Sequence, residues 1–387
     1  MSDAGQYVRL VTTGRKTGKP HPVLVRYVMY GGRMVVFPQV GTGQDWVANL
    51  ERNSSLTVTG GNSRWKGQAR FVRVNSLKDP VLGAFTRKYG EVEVRKRYWG
   101  QSTYVEIELL DQEPEAYDEL VYSDLEAAFD GVAETYDSHI FGNPMNLWLR
   151  NRSVSLLRSL FGGGDQVVEV GCGTGTETLS LARRGVKVLA CDISSRMLDV
   201  MMKKARREGL EDSVVPLHCR PYEIRSVVKG LGIEKVDGAY STYGAVNTEP
   251  RLGAMVDGLH RLIKNDGELV LGVWNRYCMY EILGYSLRLR PSMAFARFRN
   301  PVPVGKSRFC VASNAYSVAD VSAALSGYFR LKSVYGVGIL LPPSNLTRYL
   351  PPQGALRFVE RADVAIQGHL PWNRLGDHFL GVYSRNA

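Results

Sequence analysis

Val167-Val168-Glu169-Val170-Gly171-Cys172-Gly173-Thr174-Gly175-Thr176-Glu177 is the stretch that decides the fold of this 387-residue chain. A short apolar run, Gln166–Val170, hands over to a glycine loop and then to a helix pattern at Glu177–Arg184. Glycines at such a junction let the backbone turn sharply and let a ligand approach main-chain N–H groups. The dinucleotide fingerprint Gly-x-Gly-x-x-Gly fails, because its last position is Thr176. What stands is Glu-x-Gly-x-Gly-x-Gly. A second acid, Asp192, ends the next apolar run, Val186–Cys191, about 20 residues past the loop. A carboxylate in that place accepts two hydrogen bonds from a vicinal diol better than any neutral side chain.

Around this core, helix patterns at Leu125–His139, Pro144–Leu160, Arg196–Glu208 and Leu252–Ile263 alternate with strands at Val236–Tyr240 and Glu268–Val273. Strands separated by helices imply βαβ units and a parallel sheet covered on both faces. Toward the N-terminus the texture differs. Short strand-like runs at Tyr7–Thr12, Val23–Tyr30, Arg33–Pro38, Leu56–Thr59, Gln68–Val74 and Tyr104–Leu110 are interrupted by two helices, Asp45–Asn53 and Pro80–Tyr89. Gly31-Gly32 marks a tight hairpin. A small β-barrel with helices is the economical expectation. The acidic, Pro114-containing segment after Leu110 reads as a linker, giving expected domains 1–110 and 123–387 joined by 111–122.

From about residue 120 onward the chain resembles class I methyltransferases that use S-adenosylmethionine (SAM). The resemblance rests on the glycine loop, on Asp192-Ile193-Ser194-Ser195-Arg196-Met197-Leu198, on Phe129–Asp137, on Val236–Asn247, on the turn at Lys264–Val270 and on the closing Gly376–Val382. It implies an α/β Rossmann-like domain with helical lid insertions. It implies that Glu169 lies by the amino-acid end of SAM and that Gly171, Cys172, Gly173 and Gly175 pass its methionine portion. Asp192, Ile193 and Met197 would take the ribose side, Tyr136 would close over SAM, and Ser241 would complete the pocket. Tyr243 and Asn247 would position the acceptor. Ser194 or Ser195 is the expected helix N-cap. The sequence departs from the family after the third strand, where Arg220 stands in place of the usual acid. Adenine recognition then falls to the backbone, to Tyr222 stacking or to Glu223.

Methyl transfer needs alignment and a dry site, with a general base only where the acceptor starts protonated. His139 and His378 are the candidate bases. Two inserts, Arg276–Val311 and Pro342–Trp372, are placed to cover the acceptor, and the first interleaves arginine with aromatics. Such a surface suits an anionic or extended apolar substrate, or single-stranded nucleic acid. No RNA-binding signature accompanies it, so a small-molecule or lipid-like acceptor is expected and nucleic acid is disfavoured. Net charge is +11, which favours anionic partners and leaves peripheral membrane contact open.

Over roughly residues 7–110, Thr13-Gly14-Arg15-Lys16-Thr17-Gly18 and Asp45-Trp46-Val47-Ala48-Asn49-Leu50 resemble deazaflavin-dependent nitroreductases, a split β-barrel family. The resemblance implies that Arg15, Lys16, Thr17 and Trp46 contact a deazaflavin or FMN, and that the barrel forms a homodimer. Asp45 replaces that family's proline. Three functions stay open: a methyltransferase with a cofactor-binding barrel, a bifunctional oxidoreductase-methyltransferase, and an RNA-binding or RNA-modifying methyltransferase. Five cysteines without a CxxC pair and six scattered histidines give no metal-ligand spacing. No apolar run approaches the roughly 20 residues of a membrane span, and no secretory leader pattern opens the chain, so the cytoplasm is expected.

Overall fold

The computed structural model describes residues 7–16, 18, 20–38, 45–60, 63–74, 79–98, 101–113, 117–299, 302, 311 and 313–386. The chain divides into two compact units, Met1–Leu120 and Val121–Ala387.

In the first unit, strands β1 (Tyr7–Thr13), β2 (Pro20–Tyr30), β3 (Arg33–Val36), β4 (Ser55–Gly60), β5 (Ser63–Arg73) and β6 (Thr103–Glu113) close into a barrel in the order β1-β2-β3-β6-β5-β4. Successive residues on these strands point to opposite faces. Leu10, Tyr27, Met34, Val36, Val105 and Ile107 fill the barrel with Trp46 and Leu50 of helix α1 (Asp45–Arg52). The alternate residues Val28, Val35 and Tyr104 turn outward and pack against helices α2 (Pro80–Tyr89) and α3 (Glu91–Tyr98). The sequence pattern did not show α3, whose charged composition hides two buried anchors, Val94 and Tyr98. Within segment 111–122, β6 runs on to Glu113, where Gln112 and Glu113 pair with Trp65 and Arg64, and the next helix begins at Tyr117.

The second unit is a seven-stranded sheet with helices on both faces. Its described strands are β7 (Gln166–Val170), β8 (Lys187–Asp192), β9 (Val214–His218), β10 (Val236–Ser241), β11 (Ile263–Trp274), β12 (Phe329–Val337) and β13 (His378–Arg385). They run in the order β12-β13-β11-β10-β7-β8-β9, parallel except for β13, which is antiparallel to both neighbours. Strand parity sorts the core. Val168, Val170, Leu189 and Cys191 face α9 (Ile224–Gly230), α10 (Leu252–Leu262) and α13 (Val318–Leu325). Val167, Val188 and Ala190 face α6 (Pro144–Leu160), α7 (Thr176–Ala182) and α8 (Ser195–Glu208). Burial on both sides is why these strands read as nearly continuous apolar runs.

The single helix expected over Leu125–His139 is two, α4 (Tyr117–Asp130) and α5 (Ala133–Phe141), because the chain turns at Gly131-Val132. The inserts carry α11 (Met279–Ser286), α12 (Pro291–Ala294) and α14 (Gln353–Ile366). Cys172, Cys191, Cys219 and Cys278 are buried free thiols, and Cys310 lies outside the described residues.

Gly238 lies where β10 crosses under α6. A Cβ there would lie 2.5 Å from Phe161 Cε1 and 2.8 Å from the Glu268 carbonyl oxygen. Gly238→Ala is therefore expected to destabilise the second unit by about 1–3 kcal/mol, measured as a lowered urea midpoint with an unchanged m-value.

Candidate active site

The loop between β7 and α7 is pinned by its own backbone. Gly171 and Cys172 donate their N–H groups to the Cys191 carbonyl at the end of β8, at 2.8 and 3.0 Å. Gly171 sits at φ +74°, and a Cβ there would meet the Ala245 Cβ at 2.5 Å. The next amide, Gly173 N–H, donates to Asp192 Oδ2 at 2.7 Å, and Ser194 N–H donates to Oδ1 at 2.9 Å. Ser194 Oγ in turn caps α8 by accepting from Met197 N–H. Two of roughly four acceptor positions on the Asp192 carboxylate are thus filled, leaving capacity for a diol. Burial pushes the Asp192 carboxyl above its ordinary value, against the pull of these backbone amides.

A cavity of about 390 Å³ opens over this loop. Of the residues expected at SAM, Tyr136, Gly171, Cys172, Gly173, Asp192, Ile193 and Met197 line it. Glu169, Gly175, Tyr222 and Ser241 do not. Ser241 Oγ donates to the Val170 carbonyl at 2.9 Å, tying β10 to β7. Tyr222 packs beside Tyr122, ring centres 5.6 Å apart, and its hydroxyl accepts from Arg220 at 3.1 Å. Glu169 shares a strand face with Val167, so it points under the loop, where Tyr240 OH (2.9 Å) and Thr178 Oγ1 both donate to its Oε2. Burial, then the charge of Glu177, push the Glu169 carboxyl up.

The acid that reaches the cavity from this motif is Glu177, paired with Arg150 of α6. Neither was singled out as a site residue. Both side chains are buried, yet Arg150 Nε and Glu177 Oε1 have no hydrogen-bond partner among the described residues.

Tyr243, a non-glycine residue at φ +57°, also lines the cavity. Its ring stacks on His378 (centroids 6.2 Å, planes 12°) while the Arg150 guanidinium lies 4.4 Å over it. His378 Nδ1 is 3.1 Å from Asp377 Oδ2. Arg297 Nη2 donates to Asp377 Oδ1 at 2.6 Å, and Arg297 Nε donates to Glu281 at 2.7 Å. Burial alone would raise the Asp377 carboxyl, but Arg297 and then His378 hold it well below the usual carboxylate range. His139 and Asn247 also line the cavity. The Asn247 amide is engaged by main chain: it donates to the Trp274 and Asn314 carbonyls (3.1 and 2.6 Å) and accepts from Trp274 N–H (2.8 Å). It clamps the tail of β10 to β11, with no donor left for an acceptor molecule.

In the barrel unit, Arg15 donates to Asp45 Oδ1 at 2.8 Å, and its backbone N–H donates to Asn49 Oδ1 at 2.9 Å. Lys16 is exposed, Trp46 is buried among the barrel core, and Thr17 lies outside the described residues.

The raised Glu169 carboxyl has a pH consequence. Its neutral form contributes stability that is complete below the ordinary carboxyl value of 4.5 and is lost as pH rises through the raised folded value. Glu169→Gln, which cannot ionise, should lose less stability than wild type between about pH 5 and about pH 9, read from paired urea titrations.

Residues 167–267 match the family model described as a methyltransferase domain. A tRNA 5-carboxymethoxyuridine methyltransferase of Escherichia coli (strain K12) is 30% identical over 107 residues, 25% of this chain and 39% of that protein. A ubiquinone biosynthesis O-methyltransferase of Xylella fastidiosa (strain M23) is 30% identical over 155 residues, 38% of this chain and 57% of that protein. The chain spans less than two thirds of either relative's length. A solved SAM dependent methyltransferase from Aquifex aeolicus aligns at 16% identity and a TM-score of 0.41, covering 67% of this chain and 98% of that one. The C-terminal unit carries a class I SAM-dependent methyltransferase domain.

Proposed function

We propose that this protein methylates a protic oxygen or nitrogen of a small-molecule acceptor. The observation that carries the reading is the placement of His378, backed by the buried Asp377, on the same cavity as the Gly171–Gly173 loop and Asp192. Asp192 would hold the ribose hydroxyls, and Glu177 with Arg150 the amino-acid end. SAM, when bound, supplies an electrophilic methyl group on a sulfonium. The chain's own residues align the acceptor and take its proton. Asp377, kept ionised by Arg297, accepts the Nδ1 proton of His378 and so fixes the tautomer whose Nε2 is a base. Tyr243, stacked on His378 and under Arg150, sets the distance between acceptor and imidazole. Leu125, Phe129, Ile140 and Leu149 exclude water from the far wall.

A tRNA acceptor is a second reading, favoured by what the Escherichia coli relative acts on. The methyltransferase family model matches residues 167–267, which leaves both inserts outside it. Nucleic acid that co-purifies and is released by salt would favour the tRNA reading. For the barrel, a deazaflavin or flavin phosphate would rest on Lys16, since Asp45 engages Arg15.

Calorimetric titration of SAM is expected to give saturable binding to wild type, weakened about 100-fold or more in Asp192→Ala, where charge-assisted hydrogen bonds are lost. Folded wild type that takes up no SAM overturns the proposal. His378→Asn should leave SAM affinity unchanged and lower kcat on the identified acceptor by about 10²–10⁴, with recovery at alkaline pH as the acceptor ionises by itself. An unchanged pH-rate profile in that variant removes His378 from the mechanism.

A further inference from the structure

The first insert ends in a surface that the methyltransferase chemistry does not use. α11 and α12 form a short helical hairpin whose turn presents Leu287 and Leu289, 85% and 90% exposed. Behind them, Leu283, Met293, Phe295 and Phe298 are each more than two-fifths exposed. Phe295 and Phe298 meet edge to face at 5.6 Å, and Phe298 meets Tyr277 at 5.3 Å, so the aromatics form one cluster. Single exposed leucines are ordinary. A run of large apolar side chains projecting from one hairpin is not. Leu289 is moreover held at φ +54°, a conformation unfavourable for a leucine. Its N–H donates to the Ser286 carbonyl, and that of Arg290 to the Tyr285 carbonyl, both at 2.9 Å, so the tight turn points the leucine outward.

Charge selects the partner. Arg288, Arg290 and Arg299 are exposed around the apolar knuckle. Between Arg276 and Arg299 the sequence has one acid, Glu281, and it is buried against Arg297. An apolar centre with a fringe of one sign complements an anionic, oil-backed surface. It does not complement itself, because a two-fold contact would set these arginines against their own copies. Among the described residues no helix is long and apolar enough to cross a membrane.

We propose that the α11–α12 hairpin docks this protein on the surface of an anionic lipid bilayer, with Leu287 and Leu289 entering the headgroup–acyl boundary. The hairpin and the turn after it touch residues at or next to the cavity: Arg297 lies 4.8 Å over the ring of Trp274, and Arg288 lies 4.8 Å over that of Tyr349. Trp274 lines the cavity, as does Ser344, which begins the turn that Tyr349 ends. A lipid-dissolved acceptor would thus meet the site beside the docked face. That delivery role rests on the methyltransferase reading, whereas the docking does not.

Co-sedimentation of the full chain with phosphatidylcholine vesicles, with and without phosphatidylglycerol, tests the proposal. Binding to the phosphatidylglycerol vesicles is expected, at least about tenfold stronger than to phosphatidylcholine alone. Leu287→Ser/Leu289→Ser should weaken it about tenfold, and Arg288→Glu/Arg290→Glu should abolish it, with SAM titration unchanged in both. Folded wild type that stays in the supernatant, or variants that sediment like wild type, overturn the docking. So does light scattering that shows a dimer dispersed by the leucine variant. Vesicle binding by a chain that takes up no SAM leaves the docking standing and removes the delivery role.

Discussion

The amides of Gly171, Cys172 and Gly173 fix everything else in the second unit. They are committed to two acceptors at the end of the neighbouring strand, the Cys191 carbonyl and the Asp192 carboxylate. This is available only because β7 lies between β8 and β10 in a parallel sheet, so that all three strands end at the same edge. Crevices at such an edge are where open α/β sheets bind ligands. A loop anchored by its own backbone costs little to order when a ligand arrives, and Asp192 is held in place by the same bonds that shape the loop.

A second constraint is electrostatic. Arg297 is buried, with Glu281 on one side and Asp377 on the other, and its Nη1 also donates to the carbonyls of Asn275 and Asp377. Two carboxylates taken out of water tolerate one another only with a shared cation and filled hydrogen-bond positions. The arrangement joins the insert after β11 to the start of β13, two parts of the chain about eighty residues apart. Arg150 and Glu177 make a second buried ion pair, and both residues line the cavity.

Much of this was legible before any coordinates. α6 and β7 begin and end where periodicity and the glycine loop put them, and Asp192 ends β8 beside the loop. Other features of the site were hidden for definite reasons. Glu169 belongs to the recognisable motif, but strand parity puts it on the face of Val167 and Tyr240, away from the cavity. Asn247 follows the fourth strand, where an amide looks free to meet an acceptor, yet three main-chain partners reach it from residues remote in sequence. Arg150 gave no local signal, since a buried arginine on an amphipathic helix differs from a surface one only through its distant partner. Asp45, read as a departure from a family pattern, takes the guanidinium of Arg15 that the pattern would have left for a phosphate.

The insert is therefore more than a cover. Arg297 sits at the end of the hairpin that carries Leu287 and Leu289, and the same guanidinium orients Asp377 and through it His378. A side chain that packs on Trp274, neutralises Glu281 and aims a histidine cannot be replaced by lysine, whose single ammonium lacks the planar fork that reaches two carboxylates and two carbonyls together. Displacing the hairpin would strand two buried carboxylates, a cost of several kcal/mol that falls first on the geometry of the site.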